Sequence, residues 1–171
     1  MKKLLRNPAL LERYDKAIRT YLEDGHAERV PPPVDQANAR NMYYMPHRPV
    51  LRESSSTTKL RVVFDALSHA EGKRSLNDFL QKGPNMVPDL VQLLLKFRLY
   101  RIAITADVRK AFLQIGIKQE DRDFLRFLWF ANSPALNNEE LKLEEWRMTR
   151  VPFGTTGSPF LLAATLSHHL D

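Results

Sequence analysis

The chain has 171 residues, 43% hydrophobic and 27% charged, with 26 Lys and Arg against 20 Asp and Glu for a net charge of +6. That is enough for one sizeable core or two lobes, and the basic balance, with a pI of about 9.7, favours polyanionic partners. Without cysteine there are no disulfides, zinc–thiolate sites or cysteine nucleophiles, and no run reaches the roughly 20 apolar residues that span a bilayer.

Met1-Lys2-Lys3-Leu4-Leu5 starts like a signal peptide, but Arg6, Asn7 and Pro8 follow at once, so no apolar core develops. The expectation is a soluble, intracellular, cytoplasmic protein with no membrane segment. Residues 8–24 predict an amphipathic helix: Pro8 suits a first turn, Leu10, Leu11, Tyr14, Ile18, Tyr21 and Leu22 recur at helical spacing, and Gly25 is the stop. Pro31-Pro32-Pro33 is a stiff extended connector. Tyr43–Met45, Pro49–Leu51 and Leu60–Phe64 predict short strands, the last two joined as a hairpin through the polar stretch 52–59.

Residues 75–86 read as loop, punctuated by Gly83-Pro84-Asn85. Leu90–Phe97 predicts an apolar core helix opened by Pro88 and Asp89, and Tyr100–Ala106 a buried strand running into Asp107. Ala111–Ile115 is a short apolar turn and Glu120–Asp123 a charged one. Leu125–Phe130 and Glu145–Val151 predict two more strands around a polar loop at 131–143, and a last helix covers 158–170. The order is α+β, an antiparallel sheet with packed helices. Trp129 and Trp146 are expected in the core or in a loop contact, Glu139, Glu140, Glu144 and Glu145 on a solvated face, and His168 and His169, adjacent on a helix, as structural residues.

Three segments carry chemistry. An aspartate at the end of a hydrophobic strand, Asp107, is held rigidly enough to bind Mg²⁺, although such a residue taken alone is more often a turn cap. The amides that follow it begin a turn and can face phosphate oxygens. Lys59 and Arg61 share one strand face and can grip an anion, or simply discourage edge pairing. Val151–Phe160 is a glycine turn feeding a helix, a place where backbone can approach a ligand closely.

In this order the segments resemble a reverse transcriptase, more narrowly the polymerase of Bel/Pao-type LTR retrotransposons. The resemblance rests on Tyr43–Val50, Leu60–Ala66, Ser75-Leu76-Asn77-Asp78 with Gly83-Pro84-Asn85, the Asp107 segment and the Phe153-Gly154 turn. It implies the fingers and N-terminal part of the palm of a right-hand polymerase, C-terminally truncated. The expected parts are a helical segment (1–30), fingers (31–82 and 115–157) and palm (83–114 and 158–171).

It further implies Asp107 as catalytic carboxylate and, with the Val108 carbonyl, as a ligand of two Mg²⁺ ions. Lys59 and Arg61 would close over the triphosphate, and the Lys110 and Ala111 amides would meet phosphate oxygens. Phe112 would be the gate against a ribose 2′-hydroxyl, and Phe153 and Gly154 would lie beside the nascent base pair. Implied partners are a primed RNA or DNA template, deoxynucleoside triphosphates and the rest of a polyprotein (protease, ribonuclease H, integrase). The family's second motif, two adjacent aspartates, is not in these residues. The expectation is therefore a chain inactive alone, with an exposed apolar face where the last helix would meet further sheet. The alternatives are a non-catalytic nucleic-acid-binding module derived from a retroelement and an unrelated α+β interaction module.

Overall fold

The computed structural model describes residues 4, 6–31, 42–52, 59–134 and 141–170. Helix α1 (Pro8–Glu23) starts where Asn7 Oδ1 accepts the Leu10 amide at 3.1 Å, and Pro8 opens it with no amide to leave unpaired. The helix stops at Asp24, after which Gly25 turns the chain at a φ of 67°. Leu11, Tyr14 and Ile18 are buried on one face, a contribution of about 1.5–3 kcal/mol each.

Among the described residues five strands follow: β1 (Ala27–Arg29), β2 (His47–Leu51), β3 (Leu60–Phe64), β4 (Arg126–Phe130) and β5 (Leu143–Met148). They make two small antiparallel sheets, one ordered β1-β5-β4 and one a β2-β3 ribbon. The architecture is α+β as expected. Where the sheet, the ribbon and α1 meet, aromatic rings fill the core. Trp129 and Trp146 are fully buried, Tyr14 meets Trp129 edge-on with ring centres 5.3 Å apart, and Phe64 meets Phe127 at 5.2 Å. Such pairs add about 0.5–1.5 kcal/mol beyond area burial.

A charged layer ties the sheet together. Buried Arg147 donates to Glu28 at 2.7 Å and to Asp123 at 2.9 Å, while Arg126 reaches Asp123 at 3.0 Å and Glu145 at 2.8 Å. Burial would raise the Asp123 carboxyl, but Arg147 and Arg126 outweigh it and hold the group below its usual range. Glu144 pairs with Arg29 at 3.0 Å. Glu145 is exposed as expected and Glu144 only half-buried, and both also belong to the sheet's ion pairs; Glu139 and Glu140 lie outside the described residues.

Several other expectations need correcting. Tyr43–Met45 is not a strand; it contributes one parallel bridge, Tyr44 to Arg126. The 75–86 loop contains a 3-10 turn, Leu76–Asp78, and β5 covers Leu143–Met148 in place of 145–151. The largest correction concerns Tyr100–Ala106, which forms no strand, with Ile102 80% and Ile104 84% exposed. An apolar sequence makes a strand only where a neighbour supplies hydrogen bonds, and no described strand pairs with it. Helix α2 (Leu90–Phe97) forms, capped by Asp89 on the Gln92 amide at 2.9 Å, yet it is exposed, not core. Its fate is that of the absent strand, since a helix is buried only by a layer that covers it. Helix α3 (Ser158–Leu170) also leaves Leu161, Leu166 and Leu170 exposed, as expected for the last helix. Residues 32–33, the hairpin tip at 53–58 and part of the 131–143 loop are outside the described residues. Among those described, no helix is long and apolar enough to cross a membrane.

One half-buried histidine sets a pH dependence. His47 Nε2 lies 3.0 Å from the Leu128 carbonyl, which can only accept, so Nε2 carries the proton. Nδ1 then accepts the Tyr14 hydroxyl at 2.6 Å. Burial pushes His47 below the usual imidazole value, the Leu128 carbonyl opposing, and pushes the Tyr14 phenol up. Burial and Lys110 lower His26 in the same direction. The unfolded chain takes up these protons near pH 6.5 and the folded chain only at lower pH, so stability falls as pH drops below about 6.5. Urea titrations at pH 7.5 and about pH 5.5 should show this loss, with the slope much reduced in His47→Gln, which keeps one donor and one acceptor. An unchanged slope in that variant would assign the effect elsewhere.

Candidate functional site

Backbone pairing builds the site. The Ile117 amide donates to the Thr149 carbonyl at 2.9 Å, and the Val151 amide to Ile115 at 3.0 Å. Gly116 and Arg150 bridge between them. This short ladder fixes the 3-10 turn Ala111–Gln114 against the chain leaving β5, which carries Pro152, Phe153 and Gly154. The Phe112 and Phe153 rings meet as a result, with centres 4.3 Å apart and planes 69° apart. Phe153 remains 64% exposed, so one face of the pair is open to solvent.

Lys110 opens the turn in the left-handed region, φ 53°, with its carbonyl accepting the Leu113 amide at 2.8 Å. Its ammonium pairs with Asp24 at the end of α1, and that hydrogen bond holds the Asp24 carboxyl below its usual range. The turn is thereby tied to the core by a side chain as well as by backbone.

Gly154 stands at φ 100°, and a Cβ built there would lie 2.7 Å from the Phe64 carbonyl oxygen at the end of β3. Only glycine allows the turn to press on the ribbon that closely. Asn77 clamps the same turn from outside: its Nδ2 donates to the Gly154 carbonyl at 3.0 Å, and its Oδ1 accepts the Thr156 amide at 2.8 Å. Asn77 is itself held by a capping box in which the Ser75 and Asp78 side chains bond each other's backbone amides. Behind the turn, buried Ser158 donates to the Pro152 carbonyl at 2.8 Å and shares a hydrogen bond with Thr155.

The structure thus brings together Lys110, Ala111, Phe112, Phe153 and Gly154, five of the residues singled out in the sequence. Lys59 and Arg61 stand exposed at the outer end of the ribbon on which Gly154 rests. Asp107 and Val108 lie in exposed chain outside any helix or strand, so the rigid strand end expected for the carboxylate is not what carries it. Among the described residues no three His, Asp or Glu side chains converge on a common point. Sequence reasoning misses Asn77; the serine-to-aspartate spacing of its capping box is the available signal. Compared with protein-family models and with curated protein sequences, the chain matches none.

Proposed function

We propose that the chain is the fingers and the front of the palm of a Bel/Pao-like reverse transcriptase, an RNA-directed DNA polymerase in its complete form. The observation that carries this reading is the Phe112–Phe153 contact. Two segments about 40 residues apart, each read from sequence as nucleotide-facing, meet edge to face beside a glycine that tolerates no side chain. The reading also accounts for the exposed apolar residues of α2 and 99–104, which it assigns to the interior of the palm. Apolar surface of that extent marks an interface rather than a solvated face.

In this reading Arg61 and Lys59 hold the triphosphate from the ribbon, arginine by its two-pronged grip. The Lys110 and Ala111 amides face phosphate oxygens at the start of the turn. The Phe112 ring, backed by Phe153, excludes a 2′-hydroxyl by bulk, and Gly154 lets backbone approach the base. Asp107 and the Val108 carbonyl are a poor cage for a free cation, and they fit only Mg²⁺ that arrives already coordinated by nucleotide phosphates. Bound there, the ion would supply charge neutralisation of the triphosphate. No Asp-Asp pair is present in the 171 residues, so this chain by itself is expected to bind nucleotide without extending a primer. Its partners in the complete protein would be a primed template and the remaining polyprotein domains.

Mn²⁺ substituted for Mg²⁺ tests the reading without requiring catalysis. With a deoxynucleoside triphosphate present, amide NMR signals of Asp107–Phe112 should broaden, and Asp107→Asn should abolish the broadening. Broadening that is absent, or equal in Asp107→Asn, would sink the proposal. The second reading, a nucleic-acid-binding module without catalysis, is favoured by the exposed cations of the ribbon.

A further inference from the structure

The β2-β3 ribbon has two unlike faces. His47, Pro49 and Leu51 share one with Leu60, Val62 and Phe64, and Leu60, Val62 and Phe64 pack into the core. The other face carries Arg48, Val50 and Arg52 from one strand and Lys59, Arg61 and Val63 from the other. The register sets Arg48 opposite Val63 and Val50 opposite Arg61, and the Arg52 amide donates to the Lys59 carbonyl at 2.8 Å. Four of these six positions are cations, all exposed, and none is acidic. Asp65, just beyond β3, accepts the Leu67 amide at 3.0 Å.

For folding alone the arrangement is unfavourable. Arg52 and Lys59 stand on one face where the strands pair, and Arg61 is diagonal to both Arg48 and Arg52; like charges so placed destabilise a sheet. Protecting exposed strand edges does not need four cations on one face, and an ordinary solvated face mixes both signs. The stripe runs about 14 Å from Arg48 to Arg52 at ~3.4 Å per residue, yet it is only two strands wide, about 4.8 Å. It is too narrow to meet both backbones across a duplex groove of roughly 6–12 Å, and it is longer than a single triphosphate needs. No aromatic residue lies on this face to stack on bases.

From this register we infer that Arg48 and Arg52 extend the cation face of Lys59 and Arg61, the pair assigned to the triphosphate above, into a track for the phosphodiester backbone of one nucleic-acid strand. Recognition is electrostatic and indifferent to sequence, with Val50 and Val63 giving an apolar floor between the cations. The inference rests on the nucleic-acid half of the reading above but not on catalysis or on a metal.

The test is fluorescence anisotropy with a labelled oligothymidylate, titrated with the chain at several salt concentrations. Wild type should bind at low salt with a steep dependence. Arg48→Gln with Arg52→Gln should make the slope of log K against log salt shallower by about 1.4, two contacts at about 0.7 each on a single strand. The same variant should melt no lower than wild type, because it removes like-charge contacts. Lys73→Gln with Arg74→Gln makes the same charge change on an exposed loop and should leave the slope nearly unchanged. A duplex probe identifies the source of the strand: equal loss on both probes means one backbone is read in either form, loss on oligothymidylate alone means an unpaired strand. Absence of binding at low salt, an unchanged slope in the Arg48/Arg52 variant, or an equal drop in the loop control would overturn the inference. Strand binding without Mn²⁺-dependent broadening would sink the polymerase reading and leave the track standing; the reverse would sink the track alone.

Discussion

Replacing Asp15 with alanine is expected to destabilise the chain by about 3–5 kcal/mol. The carboxylate is buried inside α1 and serves two donors at once. Trp129 Nε1 reaches it at 2.8 Å from β4, and Arg19 Nε lies 3.0 Å from each of its oxygens. Arg19 in turn donates to the Phe130 carbonyl at 3.2 Å, so the one carboxylate joins the helix to the sheet at two places. Without it, the indole N–H of a fully buried tryptophan has no acceptor, and an arginine three-quarters buried loses its counter-charge. Asp15→Asn keeps an acceptor for the indole but not the ion pair, and should fall between wild type and alanine. Equilibrium urea unfolding followed by tryptophan fluorescence gives the three values. A loss below about 1 kcal/mol for Asp15→Ala would mean the helix and sheet are held by ring packing alone.

Gly154→Ala should cost about 2–4 kcal/mol, and its effect should spread to the candidate site. A methyl group there occupies a φ of 100° that L residues avoid, and it meets the Phe64 carbonyl oxygen at 2.7 Å, a backbone atom with little room to move. Relief requires the turn to lift from the ribbon, straining the two Asn77 hydrogen bonds at 3.0 and 2.8 Å. The Phe112–Phe153 contact should loosen with it. For a chain of this size the melting temperature is expected to fall by roughly 2–4 °C per kcal/mol, and NMR cross-peaks between the two rings should weaken. A variant as stable as wild type, with the ring cross-peaks intact, would show that the turn has another low-energy conformation and that glycine is not required.

How far the sequence could be read depended on whether a residue's environment is local. Helix α1 could be seen in the period of Leu11, Tyr14 and Ile18 with Pro8 before them and Gly25 after, because capping and periodicity act within a few residues. The hairpin was visible for the same reason, two β-rich runs around a polar turn. Strand β1 was missed: three residues, Ala27–Arg29, become a strand only because Met148, Arg147 and Trp146 stand opposite. The Tyr100–Ala106 stretch failed in the opposite direction, with the composition of a buried strand and no partner strand among the described residues.

At the candidate site the residue types were legible, but their meeting was not. Phe112, Phe153 and Gly154 stood out through an apolar turn and a glycine turn, yet nothing local sets a 4.3 Å ring contact. The Ile115–Ile117 ladder on Thr149–Val151 does that. Asn77 sits in the Ser75–Asp78 segment without a role until Gly154 and Thr156 are placed beside it. The four-cation face likewise needs the hairpin register, since Arg48 and Arg52 are ordinary surface residues until Arg61 and Lys59 are paired across from them.

By itself the sequence determined the α+β order, the first helix between Pro8 and Gly25, the hairpin, and the basic charge that favours a polyanion. Tertiary structure alone decided which apolar runs are core, which carboxylates are paired, and which distant residues share a surface. The physical reason is range: hydrogen bonds within a turn and the helical period are written over a few residues. Burial and strand pairing depend instead on what lies opposite, and the sequence does not state that until the chain has closed on itself.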